Sequence, residues 1–205
     1  MSFNLYSIRR RIVNYFIFVI HLKRHVPFAL TTLRLLLGPI ALGCALAGVA
    51  RFVFLPILVV GTFSDIFDGI LARRFGVATP TLRRYDSITD VLYYLFILGA
   101  LWQLCHTVVV RNLWAVAVML ITEVAVVSIG MAKFRKYPAT HSWLAKFYGL
   151  CLLVCLIALL AFDAGSWAII TLAVIALVTN SEIIAMHLMA DKPPVDVRSI
   201  FSLRR

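Results

Sequence analysis

Charge is what this sequence has least of: 14% of its 205 residues are Asp, Glu, Lys or Arg, against roughly 25% in an ordinary water-soluble domain. With 62% hydrophobic residues and a mean hydropathy of +0.97, that shortage excludes a soluble globular fold. Acidic residues are scarcer still, with nine in the chain. The four cysteines, Cys44, Cys105, Cys151 and Cys155, lie inside apolar runs without paired spacing, so neither a zinc site nor a disulfide is expected. No small-residue cleavage site follows Arg9, Arg10 and Arg11, and Lys23 and Arg24 close that stretch, so a cleaved signal peptide is not expected either. There is no internal repeat, low-complexity tract or interdomain linker.

What is present is hydrocarbon in span-sized pieces. Apolar runs cover residues 27–49, 52–71, 87–104, 113–131, 143–162 and 167–188, and a bilayer-crossing helix takes about 20 residues. Residues 2–22 mix basic and aromatic side chains, which suits a helix lying along the membrane surface. The fold class expected is an all-α integral membrane protein, six transmembrane helices preceded by an amphipathic surface helix. Its divisions are a juxtamembrane helix (1–26), a six-helix domain (27–189) and a tail (190–205). All Lys and Arg except Arg34, Arg51 and Arg111 fall on one face of that topology, which puts both termini in the cytoplasm by the positive-inside rule. The net charge of +11 is then accounted for by topology and anionic lipid, and no nucleic-acid partner is expected. Tyr93, Tyr94, Trp102, Trp114, Trp143 and Trp167 fall near span ends and read as interface anchors.

Four of the nine acids, Asp65, Asp68, Asp86 and Asp90, lie near the cytoplasmic ends of the second and third spans. Spacings of three and four put each pair on one face of its helix, and a connection over 74–85 lets the two faces meet. Carboxylates converging near lipid repel one another unless some are protonated or a cation is bound. Oxygen-only ligands suit Mg²⁺ or Mn²⁺, and two such ions can stabilise both the entering and the leaving oxygen of a phosphoryl-type displacement. Gly69 removes a side chain where a ligand must come close to the backbone, Ala72 keeps that wall low, and Arg73 offers forked donors to a phosphate. Thr79 and Thr81 are possible hydroxyl donors.

The pattern Asp65-x2-Asp68-Gly69-x2-Ala72-Arg73-x12-Asp86-x3-Asp90 resembles the signature of the CDP-alcohol phosphatidyltransferase family. Pro27-x2-Leu30-Thr31-x2-Arg34-x4-Pro39 is similar to that family's nucleotide-side pattern in the first span. The resemblance implies transfer of a phosphatidyl group from CDP-diacylglycerol, or a similar CDP-linked lipid donor, to a polar or lipid alcohol acceptor with release of CMP. It also implies that Asp65, Asp68 and Asp86 hold the metals, that Asp90 is the general base and touches one of them, and that Thr31, Gly69, Arg73 and Thr79 contact the donor. A homodimer and a bacterial-type inner membrane are the family's usual setting. Two positions depart from the pattern: Leu82 stands where relatives carry a second glycine beside the nucleotide, and Phe28 where many carry asparagine.

For a phosphorylated acceptor, Lys133, Arg135, Lys136, His141 and Lys146 ring the fourth connection, although inside-facing positive charge accounts for them equally well. Glu123 and Glu182 lie within spans and need partners; Arg34 is available to either, or to the donor phosphates. Asp163 reads as solvated. The competing functional readings are a catalytically silent scaffold of the same fold, motivated by Leu82 and Phe28, and a transporter or ion pathway, motivated by intramembrane acids.

Overall fold

A computed structural model describes the backbone of residues 5–135 and 142–190, with side chains from His25 onward. Lys136, His141 and the tail from Asp191 lie outside the described residues. The described residues form six helices, α1 Leu5–Leu46, α2 Phe54–Arg74, α3 Pro80–Arg111, α4 Leu113–Phe134, α5 Trp143–Phe162 and α6 Ser166–Met189, with a 3₁₀ turn at Arg51–Val53 before α2. There is no β-strand among the described residues. Each of the six contains a segment long and apolar enough to cross a membrane, and in α1 that segment is His25–Leu46. The N-terminal stretch runs into the first span as one helix, with Pro27 and Pro39 inside it. The chain is an all-α integral membrane protein.

Two compact units divide the helices. The first holds residues 1–49 and 56–100, which are α1, most of α2 and the first two-thirds of α3. Its helices meet at glycines, as close helix packing within a membrane requires. A β-carbon at Gly38 of α1 would lie 3.3 Å from the Cα of Tyr93 and 2.9 Å from Phe96 Cδ2 on α3. One at Gly61 of α2 would lie 2.7 Å from Tyr93 Cζ and overlap its hydroxyl, which donates to the carbonyl of Ile57 at 3.5 Å. Tyr93 is therefore a buried wedge that touches both neighbouring helices. Gly61→Ala is expected to lower stability by about 1–3 kcal/mol through overpacking. Tyr93→Phe, which removes the overlapped hydroxyl, should recover part of the loss when the two variants are combined; thermal melting in detergent reads both.

The second unit comprises residues 50–55 and 101–205. Its core is built from Cys105, Val109, Ala115, Cys155, Leu159 and a run of small and branched residues on α6 from Ala168 to Ala173. The four cysteines are free, as expected. α3 departs from helical geometry at Cys105 (φ −125°, ψ 25°). The carbonyl of Leu104 beside that break accepts from Arg51 Nη2 at 3.0 Å, while Arg51 Nη1 donates to the carbonyl of Leu159 at 3.2 Å and pairs with Asp163 at 3.0 Å. A guanidinium thus satisfies backbone oxygens that the break in α3 and the end of α5 leave without helical partners. Asp163, read from the sequence as merely solvated, is an ion-pair partner at the positive-φ cap of α5.

Candidate active site

α2 ends in a tight stop. Gly76 has a positive φ of 69°, with Val77 N–H donating to the carbonyl of Ala72 at 2.9 Å and Gly76 N–H to that of Arg73 at 3.2 Å, the paired bonds of a glycine-capped helix terminus. Three residues later α3 begins: the Thr79 hydroxyl accepts from Leu82 N–H at 3.2 Å, and Pro80 occupies the first helical position, where its missing N–H costs nothing. The connection is residues 75–79, not the 74–85 that the sequence suggested. Arg83, Arg84 and Tyr85 are polar enough to read as a loop, but they belong to the opening turns of the helix, the two arginines exposed and Tyr85 partly buried. This short reversal brings the last three turns of α2, with Asp65 and Asp68, alongside the second and third turns of α3, with Asp86 and Asp90.

All four carboxylates converge on Arg34 of α1. Its guanidinium is 1% exposed and forms ion pairs with Asp65 and Asp86, with Asp90 at 2.8 Å and with Asp68 at 3.8 Å. The carboxylates of Asp65, Asp86 and Asp90 are 46%, 34% and 37% exposed, so the arginine forms the floor of the site and the acids its open face. Asp68 is buried, and one of its oxygens also accepts from the Thr31 hydroxyl at 2.9 Å. Thr31 is itself buried, within 3.0 Å of the Pro27 carbonyl. Thr31, expected from the family resemblance to contact the donor, faces Asp68. Within the second unit, Glu123 accepts from Asn180 Nδ2 at 3.3 Å.

One guanidinium against four carboxylates leaves three formal negative charges at the level of the membrane, an arrangement that calls for further cations. Asp65, Asp68 and Asp86 each offer an oxygen within 4.8 Å of the others, and three hard oxygen donors so placed fit a divalent cation of the Mg²⁺ type. Asp90 is not one of that trio.

Around the acids, the side chain of Arg73 lies over Gly69: a β-carbon there would be 3.6 Å from Arg73 Nη1. Arg73 is exposed and Ala72 buried, so the α2 surface presents a guanidinium over a bare stretch of backbone, as the spacing led one to expect. Leu82 is partly buried on the first turn of α3. Phe28 stacks on Tyr85 with ring centroids 4.8 Å apart, and the Tyr85 hydroxyl bonds that of Thr32 at 3.0 Å. The sequence reading missed this aromatic pair, although Phe28 and Thr32 share one face of α1 by their spacing of four. In the second unit, Lys133 donates to the carbonyl of Leu188 at 2.8 Å, Lys146 lies over the ring of Trp143, and Arg135 caps α4 with a left-handed backbone.

Fold and site together define a polytopic helical membrane protein that displays an acidic, cation-seeking cluster on three helices of its first unit. The chain belongs to the CDP-alcohol phosphatidyltransferase family, whose model matches residues 24–179, from just before the first span into α6. Neither the curated proteins nor the solved structures include a significant match. Membership makes it a transferase of phospholipid synthesis, moving a phosphatidyl group between a CDP-linked lipid and an alcohol within the membrane. Members are generally dependent on a divalent metal, and the Asp65, Asp68 and Asp86 cluster can bind one.

Proposed function

We propose that this protein transfers the phosphatidyl group of CDP-diacylglycerol to an alcohol and releases CMP. The observation that carries the reading is the convergence of the four aspartates of the family pattern on one buried arginine. In this reading Asp65, Asp68 and Asp86 would hold Mg²⁺ or Mn²⁺, as two ions, which would supply positive charge to offset that of the pyrophosphate. Gly69 and Ala72 leave room for the pyrophosphate against α2, and Arg73 grips it with forked donors. The backbone and hydroxyl of Thr79 and the side chain of Leu82 border the nucleotide at the start of α3. Thr31 acts on the donor indirectly, by orienting Asp68.

Asp90 accepts the proton of the acceptor hydroxyl as its oxygen bonds to the phosphorus that carries the diacylglycerol. The bond from that phosphorus to the bridging oxygen breaks, and CMP departs with the oxygen and the electron pair. Asp90 suits the base role because it is more than a third exposed and stands apart from the trio that gathers around a metal. The distribution of Lys and Arg puts this chemistry on the cytoplasmic side. Lys133, Arg135 and Lys146 are the candidates to attract a phosphorylated acceptor. Exposure of Arg135 and Lys146 supports the suggestion.

The test is release of CMP from CDP-diacylglycerol by the purified chain with Mn²⁺ or Mg²⁺, across glycerol 3-phosphate, inositol, inositol phosphate and serine. Metal-dependent release that needs one of these alcohols is the expected result and names the product. Binding of the CDP-lipid without release in any of them would favour the scaffold reading; failure to bind it would overturn the proposal.

A further inference from the structure

Arg34 is the most deeply buried charged side chain of the site, and its geometry goes beyond charge balance. Nη1 pairs with Asp65 of α2, while Nη2 pairs with Asp86 and Asp90 of α3 and lies 3.8 Å from Asp68. The contact to each carboxylate is through Oδ1 of Asp65, Asp86 and Asp90, and through Oδ2 of Asp68, the same oxygen that accepts from Thr31. A planar fork with two diverging nitrogens can span two helices in this way; a lysine, with one point of charge, cannot. Placement of the fork depends on α1 lying close to α3, which Gly38 permits.

We propose that Arg34 is a positioning residue: from beneath, it fixes one oxygen of each aspartate and so aims the other at the metal and at the acceptor. This rests on the metal-binding reading given above. A direct contact with donor phosphates is disfavoured by the 1% exposure of the side chain. Outer partners that orient metal ligands typically change metal affinity 10- to 100-fold when removed.

The sign of the effect separates positioning from simple charge. Arg34→Gln makes the cluster more negative, so electrostatics alone would tighten Mn²⁺ binding, whereas loss of alignment loosens it. The full chain in detergent is titrated with Mn²⁺, free ion being followed by electron paramagnetic resonance and folding by circular dichroism. Arg34→Gln is expected to bind Mn²⁺ about 10- to 100-fold more weakly than the unaltered chain. Unchanged or tighter binding by the folded variant overturns the proposal. If the glutamine variant does not fold, Arg34→Lys decides: it retains the buried charge without the fork, so weaker Mn²⁺ binding upholds positioning and unaltered binding overturns it. Should the unaltered chain bind no Mn²⁺, the metal reading itself fails and this one with it. Binding that survives both substitutions removes only the role of Arg34.

Discussion

Asp90→Asn is expected to stop transfer while leaving CDP-lipid binding nearly intact. Loss of a general base commonly lowers a rate by on the order of 10²- to 10⁴-fold, and asparagine keeps the shape of the side chain while removing its ability to take a proton. One ion pair to Arg34 is lost as well, but Asp65, Asp68 and Asp86 still offset that guanidinium, so the floor of the site keeps most of its partners. The measurement is a pair: CMP release under saturating donor, and equilibrium binding of a CDP-lipid. A variant that transfers at the normal rate would remove Asp90 from the base role. One that fails to bind donor would make it a binding residue instead.

Removal of metal should be equally severe, and reversible. Chelation with EDTA is expected to abolish CMP release, and added Mn²⁺ or Mg²⁺ to restore it. Asp86→Asn takes away a member of the trio whose oxygens lie within 4.8 Å of one another, and should weaken Mn²⁺ binding at least as much as loss of an outer partner does, by about 10- to 100-fold or more. Unlike Asp90→Asn, it should depress affinity for the ion and turnover together. Activity that persists in excess EDTA would overturn the metal reading.

The spans, the two in-phase aspartate pairs and the family pattern were legible in the sequence because each is a matter of spacing along one helix. Hydropathy located all six helices, and periods of three and four set the carboxylates on common faces. Arg34 illustrates what spacing does not give. A charged residue in an apolar run announces that it needs a partner, but which of several distant acids it meets depends on helix-to-helix register. Hence the sequence pointed Arg34 to Glu123, Glu182 or the donor phosphates and not to the aspartates. Thr31 and Arg34, three apart on α1, carried a usable hint, since two polar groups on one face of a span imply a polar neighbour. The start of α3 was missed for a different reason: Arg83 and Arg84 weighed as loop charge, while the Thr79-Pro80 pair that starts the helix was overlooked. The Phe28 and Tyr85 stack was hidden because its members are far apart in the chain.

All five charged groups at the centre of the site, Arg34 and the four aspartates, come from the first unit, between residues 34 and 90. If these groups handle the CDP-lipid as proposed, the sequence after residue 100 can diverge without altering the five of them. A lineage built on this plan is free to keep one donor chemistry and exchange one alcohol for another by changing the remaining half of its sequence. Chimaeras joined near Ala100, within α3, are the natural way to learn whether acceptor choice is inherited separately from the reaction.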